Sequence, residues 1–113
     1  VVVDIRYKSP HFRQWLGMVL SADNNRQLYI PPGFAHGFCV LSETALFMYK
    51  CTDYYNPKAE GCLLWNDPDI AIHWPIITPE LSDKDKRGSL IKDLPANKLP
   101  SYPGSDGKIK TYP

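Results

Sequence analysis

The sequence predicts an all-β protein built as an antiparallel β-sandwich or barrel. Short runs in which apolar and polar residues alternate are separated by Pro, Gly, Asn and Asp, the residues that favour turns. The apolar spacing typical of helices is scarcely present. Short strands at regular spacing, with turn signals between them, are typical of sandwiches and barrels.

The first two strands are predicted from β-branched and alternating residues. Residues 1–6 open with a run of valines and form the first strand, and Ser9 followed by Pro10 predicts the turn after it. Residues 15–21 alternate well enough for a second strand. Residues 23–25, Asp-Asn-Asn, are a polar connection to the next element.

The middle of the chain, residues 26–41, predicts a strand, a tight turn and another strand. Pro31, Pro32 and Gly33 interrupt the apolar run, because proline cannot donate a backbone hydrogen bond and glycine accepts a positive φ. The turn brings His36 to the start of the next strand, where small neighbours leave room for a ligand. The alternative is an imidazole that only forms a hydrogen bond inside a β-core.

The second half contains two further predicted strands, residues 44–52 and residues 62–65. In the longer strand Tyr49 lies on the same face as Phe47 and Cys51, because alternate residues of a strand point the same way. Tyr49 is therefore placed on the predicted concave face of the sheet, together with His36.

A helical turn is predicted at residues 82–87, where Ser82 suits an N-cap and Asp85 lies in the first turn. Composition alone also explains this turn as a solvated surface element with no further role. Beyond it the chain becomes rich in Pro, Lys and Gly. We therefore expect one domain over residues 1–92 and a tail with little structure of its own over residues 93–113.

The composition is that of an ordinary soluble domain, with 43% hydrophobic residues, 22% charged residues and a net charge of +1. It predicts no nucleic-acid partner, and no apolar run has the length of a membrane span. The three cysteines follow no metal or disulfide spacing, which predicts free thiols in a cytoplasmic protein. The three histidines are scattered, so no metal site is predicted.

Two motifs carry a resemblance to a known family. Residues 26–38 read Arg-Gln-Leu-Tyr-Ile-Pro-Pro-Gly-Phe-Ala-His-Gly-Phe, and residues 49–55 read Tyr-Lys-Cys-Thr-Asp-Tyr-Tyr. Together with shorter matches on either side, they resemble the dTDP-4-dehydrorhamnose 3,5-epimerases over about residues 1–92. The resemblance implies an isomerase of deoxysugar biosynthesis with a cupin-like jelly roll, also called a double-stranded β-helix.

The resemblance also implies that one segment of the family's sequence is not seen in this chain. Relative to the family, we expect the jelly roll to be incomplete at its N-terminus, without the strand that carries an Arg-Gly-x-His-x-Gln motif. That strand bears the catalytic base of the family. The isolated chain of 113 residues is therefore expected to be inactive.

The chemistry of a 4-keto sugar explains why a tyrosine suits this reaction. Removing a proton from C3 or C5 gives an enolate, and inversion requires a proton donor on the opposite face of the ring. A phenol with an ordinary pKa of about 10 keeps its proton at neutral pH and can still give it to the enolate. By resemblance Tyr49 is this donor, although a core tyrosine is the structural alternative. By resemblance Asp85 orients the catalytic histidine.

Four further residues are candidates for substrate binding. By resemblance His36 lines the sugar and diphosphate end of the site. Arg26 supports the turn or reaches the phosphates, the alternative being a surface arginine, and Tyr54 and Tyr55 line the pocket. The implied partner is a thymidine-diphosphate sugar, with no cofactor, in a homodimer.

The leading functional hypothesis is epimerisation of dTDP-4-dehydro-6-deoxy-D-glucose at C3 and C5, giving dTDP-4-dehydro-L-rhamnose for rhamnose biosynthesis. One alternative is an epimerase that inverts C3 or C5 alone. Another is a non-catalytic cupin remnant that binds a nucleotide sugar or serves oligomerisation.

Overall fold

A three-stranded antiparallel sheet forms the centre of the computed structural model, which describes residues 1–103. Its strands are β1 (Val2–Asp4), β2 (Trp15–Leu16) and β3 (Phe34–His36), in the order β2-β1-β3. Val3 of β1 lies opposite Trp15 on one side and opposite Ala35 on the other. The antiparallel sheet and the small helical content confirm the all-β class.

The helical elements are all short. The single α-helix of residues 1–103, α1, spans Asp83–Lys86, and 3-10 turns span Pro57–Ala59, Ile91–Asp93 and Ala96–Lys98. The predicted N-cap is confirmed, since Asp85 N donates to Ser82 Oγ at 3.1 Å. Within the described residues, no helix has the length and apolar character needed to cross a membrane.

The buried core is small and joins β1 to the second half of the chain. Val3, Ile70 and Ile91 are its fully buried apolar residues. The partly buried residues packed against it are Val1, Ile5, Phe12, Trp15, Ala35, Leu63 and Ile72. The sheet is therefore held against the segments around residues 63–72 and 91.

A buried carboxylate, Asp4, organises the end of β1. Arg6 donates to it from Nε and Nη2 at 2.9 and 2.8 Å and from its backbone N–H at 3.0 Å, and Ser9 Oγ also donates to it. Burial raises the pKa of Asp4, but the hydrogen bonds from Arg6 and Ser9 and the charge of Arg6 lower it further, to about 2. Asp4 is thus an ionised group that is only 2% exposed.

The predicted turn before β3 is confirmed by its backbone. Gly33 has a φ of 91°, a region that other L-residues seldom adopt. A Cβ atom at this position would lie 2.6 Å from Arg6 Cγ, so the close approach of Arg6 also requires glycine.

The segment after residue 93 is more ordered than the sequence predicted. Tyr7 pairs in parallel with Ser101, Tyr7 N donates to Pro100 O, and Tyr102 N donates to Tyr7 O at 3.0 Å. The expectation of little structure is therefore wrong for this part of the tail, because its backbone pairs with the residues that follow β1. The rest of the predicted tail, residues 104–113, lies outside the described residues.

Several predicted strands are shorter than expected or not formed. The strand predicted at residues 1–6 contracts to Val2–Asp4, and that at residues 15–21 to Trp15–Leu16. Residues 62–65 contribute only an isolated bridge, Leu63 to Ser89.

The strand predicted at residues 44–52 is not formed in this structure. A strand needs a hydrogen-bonded neighbour as well as alternation. No backbone–backbone hydrogen bond involves residues 38–55 within the part of the chain described. For the same reason, one three-stranded sheet is seen in residues 1–103, rather than two packed sheets.

The buried ion pair predicts a specific dependence of stability on pH. Because the folded pKa of Asp4 lies below its ordinary value, its stabilising effect is present above about pH 4 and is lost as the pH falls towards about 2. We expect Asp4→Asn to lower the free energy of unfolding at pH 7 by about 2 kcal/mol. In urea unfolding between pH 7 and pH 2, the difference in free energy of unfolding between wild type and Asp4→Asn should decrease below pH 4.

Asp23→Asn is a suitable control, because Asp23 is exposed and forms no ion pair within the described residues. A gap between Asp4→Asn and wild type that stays constant from pH 7 to pH 2 would contradict this account of Asp4.

Candidate active site

His36 lies at the end of β3, opposite Val2 of β1. The backbone pairing continues one residue further, since Gly37 N donates to Val1 O at 3.1 Å and the Val1 amine donates to Gly37 O at 3.0 Å. The His36 side chain is exposed. The imidazole is therefore carried by a paired backbone and remains accessible, rather than lying inside a β-core.

A row of aromatic rings leads from the His36 strand to Tyr49. Phe38 stacks on Phe47 with ring centroids 4.0 Å apart, and Phe47 lies 5.7 Å from Tyr49 in a tilted arrangement. Such geometries are the favoured contacts of aromatic pairs. They link residues 36–38 to residue 49 although no backbone hydrogen bond joins the two segments.

The predicted concave face that would carry both His36 and Tyr49 is not formed by the described residues, because residues 44–52 are not a strand. Tyr49 is 72% exposed. One cavity of 400 Å³ is lined by residues of the segment 65–77, and another of 260 Å³ by residues of β1, β2 and their surroundings; neither includes His36 or Tyr49. The reason is that residues 38–55 pair with no other described segment, so no sheet closes over the aromatic row.

Asp85 is held at the start of α1 by several partners. Ser82 Oγ donates to Asp85 Oδ2 at 2.8 Å and accepts from Asp85 N. Cys62 Sγ lies 3.8 Å from Asp85 Oδ1 and 3.7 Å from Lys84 O. Burial, together with the negative charge of Asp85, raises the pKa of the Cys62 thiol, which keeps it protonated beside the carboxylate.

A second group of polar side chains adjoins this helix. Lys84 Nζ donates to Glu60 Oε2 at 2.8 Å. This contact raises the pKa of Lys84 and lowers that of Glu60. The neighbouring Glu60 carboxylate raises the pKa of Tyr55. Tyr55 is thereby brought to the same end of the molecule as Asp85.

The structure thus separates the predicted site residues into three sets. His36 and Tyr49 lie along the aromatic row, and Tyr55 and Asp85 lie around α1. Arg26 and Tyr54 belong to neither group: the Arg26 backbone N–H donates to Asn24, and Tyr54 is 97% exposed.

Sequence reasoning did not find Glu60 or Cys62. Both approach α1 only through the fold, from more than twenty residues away along the chain, so no local pattern identifies them. Among residues 1–103, no group of three or more His, Cys, Asp or Glu side chains lies close enough to hold a metal ion.

Comparison with known proteins gives a consistent set of matches. The family model described as dTDP-4-dehydrorhamnose 3,5-epimerase matches residues 1–93. The dTDP-4-dehydrorhamnose 3,5-epimerase of Salmonella typhimurium is 59% identical over 92 residues, covering 80% of this chain and 50% of that protein. The Escherichia coli enzyme of the same name is 51% identical over 100 residues, covering 88% and 54%.

A solved structure is also similar. The dTDP-6-deoxy-D-glucose-3,5-epimerase of Legionella pneumophila, in complex with dTDP-4-keto-L-rhamnose, matches with a TM-score of 0.86 and 51% identity. The match covers 89% of this chain and 54% of that one. The chain spans about half the length of the curated relatives it matches.

The Ser82 cap predicts a local effect at Asp85. We expect Ser82→Ala to raise the amide exchange rates of Asp85 and Lys86, because a lost N-cap costs about 1 kcal/mol of helix stability. Ser82→Asp keeps a capping oxygen and should retain most of the protection. Ser42→Ala, which removes an exposed hydroxyl remote from α1, is the control. Unchanged exchange at Asp85 in Ser82→Ala would contradict the proposed positioning.

Proposed function

Because the chain belongs to the dTDP-4-dehydrorhamnose 3,5-epimerase family, we propose that the protein carrying it inverts C3 and C5 of dTDP-4-dehydro-6-deoxy-D-glucose. The product is dTDP-4-dehydro-L-rhamnose. The observation that carries this proposal is the family match over residues 1–93, at more than half identity to several epimerases. The similar Legionella structure, with its dTDP-4-keto-L-rhamnose, supports a nucleotide-sugar ligand.

The proposed reaction moves protons next to the C4 ketone. A base takes the proton from C3 or C5, the electron pair delocalises onto the C4 oxygen, and a donor returns a proton from the opposite face. We assign the donor role to Tyr49, because a phenol keeps its proton at neutral pH. This assignment is supported by the motif at residues 49–55 and by the aromatic row that links Tyr49 to the His36 strand.

The remaining site residues take supporting roles in the proposal. Asp85 orients the imidazole of the base, and its contacts with Ser82 and Cys62 fix the carboxylate. His36 contacts the sugar or diphosphate. Tyr55 contributes to the pocket wall, and Arg26 and Tyr54 are assigned to the substrate on the motif alone.

The fold is part of the same proposal. We assign the three-stranded sheet to a cupin jelly roll, supported by the TM-score of 0.86 to the Legionella structure. In residues 1–103 no imidazole forms a hydrogen bond with Asp85. The 113-residue chain alone is therefore proposed to lack a positioned base and to be inactive in epimerisation.

Replacing the proposed donor tests the mechanism. We expect Tyr49→Phe, made in the longest natural form of the protein, to lower the rate of inversion by about 10²–10⁴-fold. Binding of the dTDP-sugar should change little, since the aromatic ring is kept. The measurement is epimerisation and C3 and C5 proton exchange in D₂O, followed by NMR.

Tyr29→Phe is the matched control, because Tyr29 is 78% exposed and lies outside the aromatic row. The chain of 113 residues, assayed alone, should exchange these protons much more slowly than the longest natural form. Inversion by Tyr49→Phe at the wild-type rate would remove Tyr49 from the mechanism.

The exposed apolar residues of segment 38–55 support a homodimer. Phe38, Leu46 and Met48 are 57%, 98% and 82% exposed, and the backbone around them forms no hydrogen bond with other described segments. Unpaired strand-forming residues with exposed apolar side chains favour pairing with a second chain. We propose that this segment contributes to the dimer contact.

Light scattering tests the assembly. We expect a dimer at micromolar concentration, and we expect Leu46→Asp to shift it towards monomer, because a carboxylate would be buried at the contact. Ile77→Asp provides a control of similar exposure outside the segment, 92% against 98%. A monomeric wild type, or equal dissociation in both variants, would argue against this contact.

A further inference from the structure

The guanidinium of Arg6 lies over two aromatic rings. Its Cζ is 4.7 Å from the centroid of Phe34 and 5.0 Å from that of Tyr102. A guanidinium over the face of an aromatic ring is attracted by that ring, so both rings attract Arg6. Arg6 therefore joins two parts of the chain that are far apart in sequence, β3 and the C-terminal segment.

The orientation of this guanidinium is determined by Asp4. Its Nε and Nη2 form a two-point contact with the two carboxylate oxygens, at 2.9 and 2.8 Å. A two-point contact sets the plane of the group as well as its position. Because Asp4 is 2% exposed and belongs to β1, the plane of Arg6 is fixed relative to the sheet.

The Arg6 side chain also packs against the turn before β3. The stem of Arg6 approaches Gly33 so closely that a Cβ atom there would lie 2.6 Å from Arg6 Cγ. Gly33 O also accepts a hydrogen bond from Ile5 N at 3.4 Å. The turn at Gly33 and the ring of Phe34 are thus positioned together by the residues that follow β1.

His36 shares a strand face with Phe34, because it lies two residues further along β3. His36 lies opposite Val2, and Phe34 lies opposite Asp4. Both residues are therefore paired with the same three-residue strand, β1. A strand of three residues has little rigidity of its own. Phe34 and His36 thus project from the same face of a short strand, two residues apart.

The second ring, Tyr102, comes from outside the region matched by the family model, which ends at residue 93. It is brought to Arg6 by the parallel pairing of Tyr7 with Ser101 and by the hydrogen bond from Tyr102 N to Tyr7 O. Residues 99–102 thus contact the residues that follow β1 from beyond the end of the family-model match.

We propose that Arg6 and Tyr102 are positioning residues for His36: Tyr102 and Asp4 together hold the guanidinium over the Phe34 ring, and the placement of Phe34 sets the imidazole direction at the end of β3. The role in substrate binding rests on the proposed function of His36. The geometric part, a dependence of His36 on Tyr102, stands without it.

Tyr102→Ala is the principal test, with two readouts. The first is the imidazole cross-peak of His36 in a ¹H–¹³C NMR spectrum of the full protein, assigned with a His36→Gln variant. We expect the peak to shift or broaden in Tyr102→Ala and to stay at its wild-type position in Tyr102→Phe, which keeps the ring. Tyr29→Ala removes an exposed ring elsewhere and should leave the peak in place.

The second readout separates positioning from general loss of structure. In the epimerisation assay of the longest natural form of the protein, we expect Tyr102→Ala to raise KM by up to about two- to fivefold, the most that one lost cation–π contact can transmit to binding, with kcat within about twofold of wild type. Tyr102→Phe should restore KM. Arg6→Lys, which keeps the charge and removes the planar stack, should raise KM in the same way.

The outcomes distinguish the inference from the proposed function. The inference is overturned if the His36 peak has the same position in wild type and in Tyr102→Ala. It is also overturned if Tyr102→Ala and Tyr29→Ala lose kcat and stability in urea to the same extent. If the peak moves as expected but wild type does not bind dTDP in calorimetry, the positioning is supported and the proposed function is contradicted.

Discussion

The ion pair between Asp4 and Arg6 is the contact on which most of the described structure depends. Removing a carboxylate and a guanidinium from water is expensive, and the attraction between them compensates only when the geometry is good and the remaining hydrogen-bonding sites are filled. Here Asp4 receives a two-point contact, a backbone N–H and the Ser9 hydroxyl. Such a pair contributes above all a defined geometry, since either partner alone would be a buried charge.

Four segments of the chain meet at this pair. β1 supplies Asp4, and the turn after it supplies Ser9; β3 supplies Phe34, and the C-terminal segment supplies Tyr102. Among residues 1–103, the apolar core beside it has three buried residues, Val3, Ile70 and Ile91. With so few buried apolar side chains, the polar network has a larger share in specifying the fold than it would in a bigger core.

The features that the sequence predicted correctly are local ones. The valine-rich first strand, the turn at Gly33 and the Ser82 cap each depend on residues that are neighbours in the chain, so their physical cause can be read from a few letters. The family resemblance added the two motifs around His36 and Tyr49, and the family match then agreed with it.

The features that were missed depend on partners distant in sequence. Residues 44–52 have the alternation of a strand, but alternation does not supply the hydrogen-bonded neighbour that a strand needs. The approach of Glu60 to Lys84 and that of Cys62 to Asp85 leave no local pattern. Docking of residues 99–102 was hidden by a Pro- and Lys-rich composition that usually accompanies disorder. Assignment of the site therefore still depends more on motif than on geometry.

The pairing of Tyr7 with Ser101 has a consequence for the order of folding. The loop that it closes contains nearly the whole described chain, whereas the pairing of β1 with β2 closes a loop of a dozen residues or so. Closing a long loop loses more chain entropy, and contacts between distant residues slow folding. The strand pair forms early on this reasoning, and the C-terminal segment docks last, onto a surface that already exists. The contact of Tyr102 with Arg6 is therefore expected to form late in folding and to open before the contacts of the sheet.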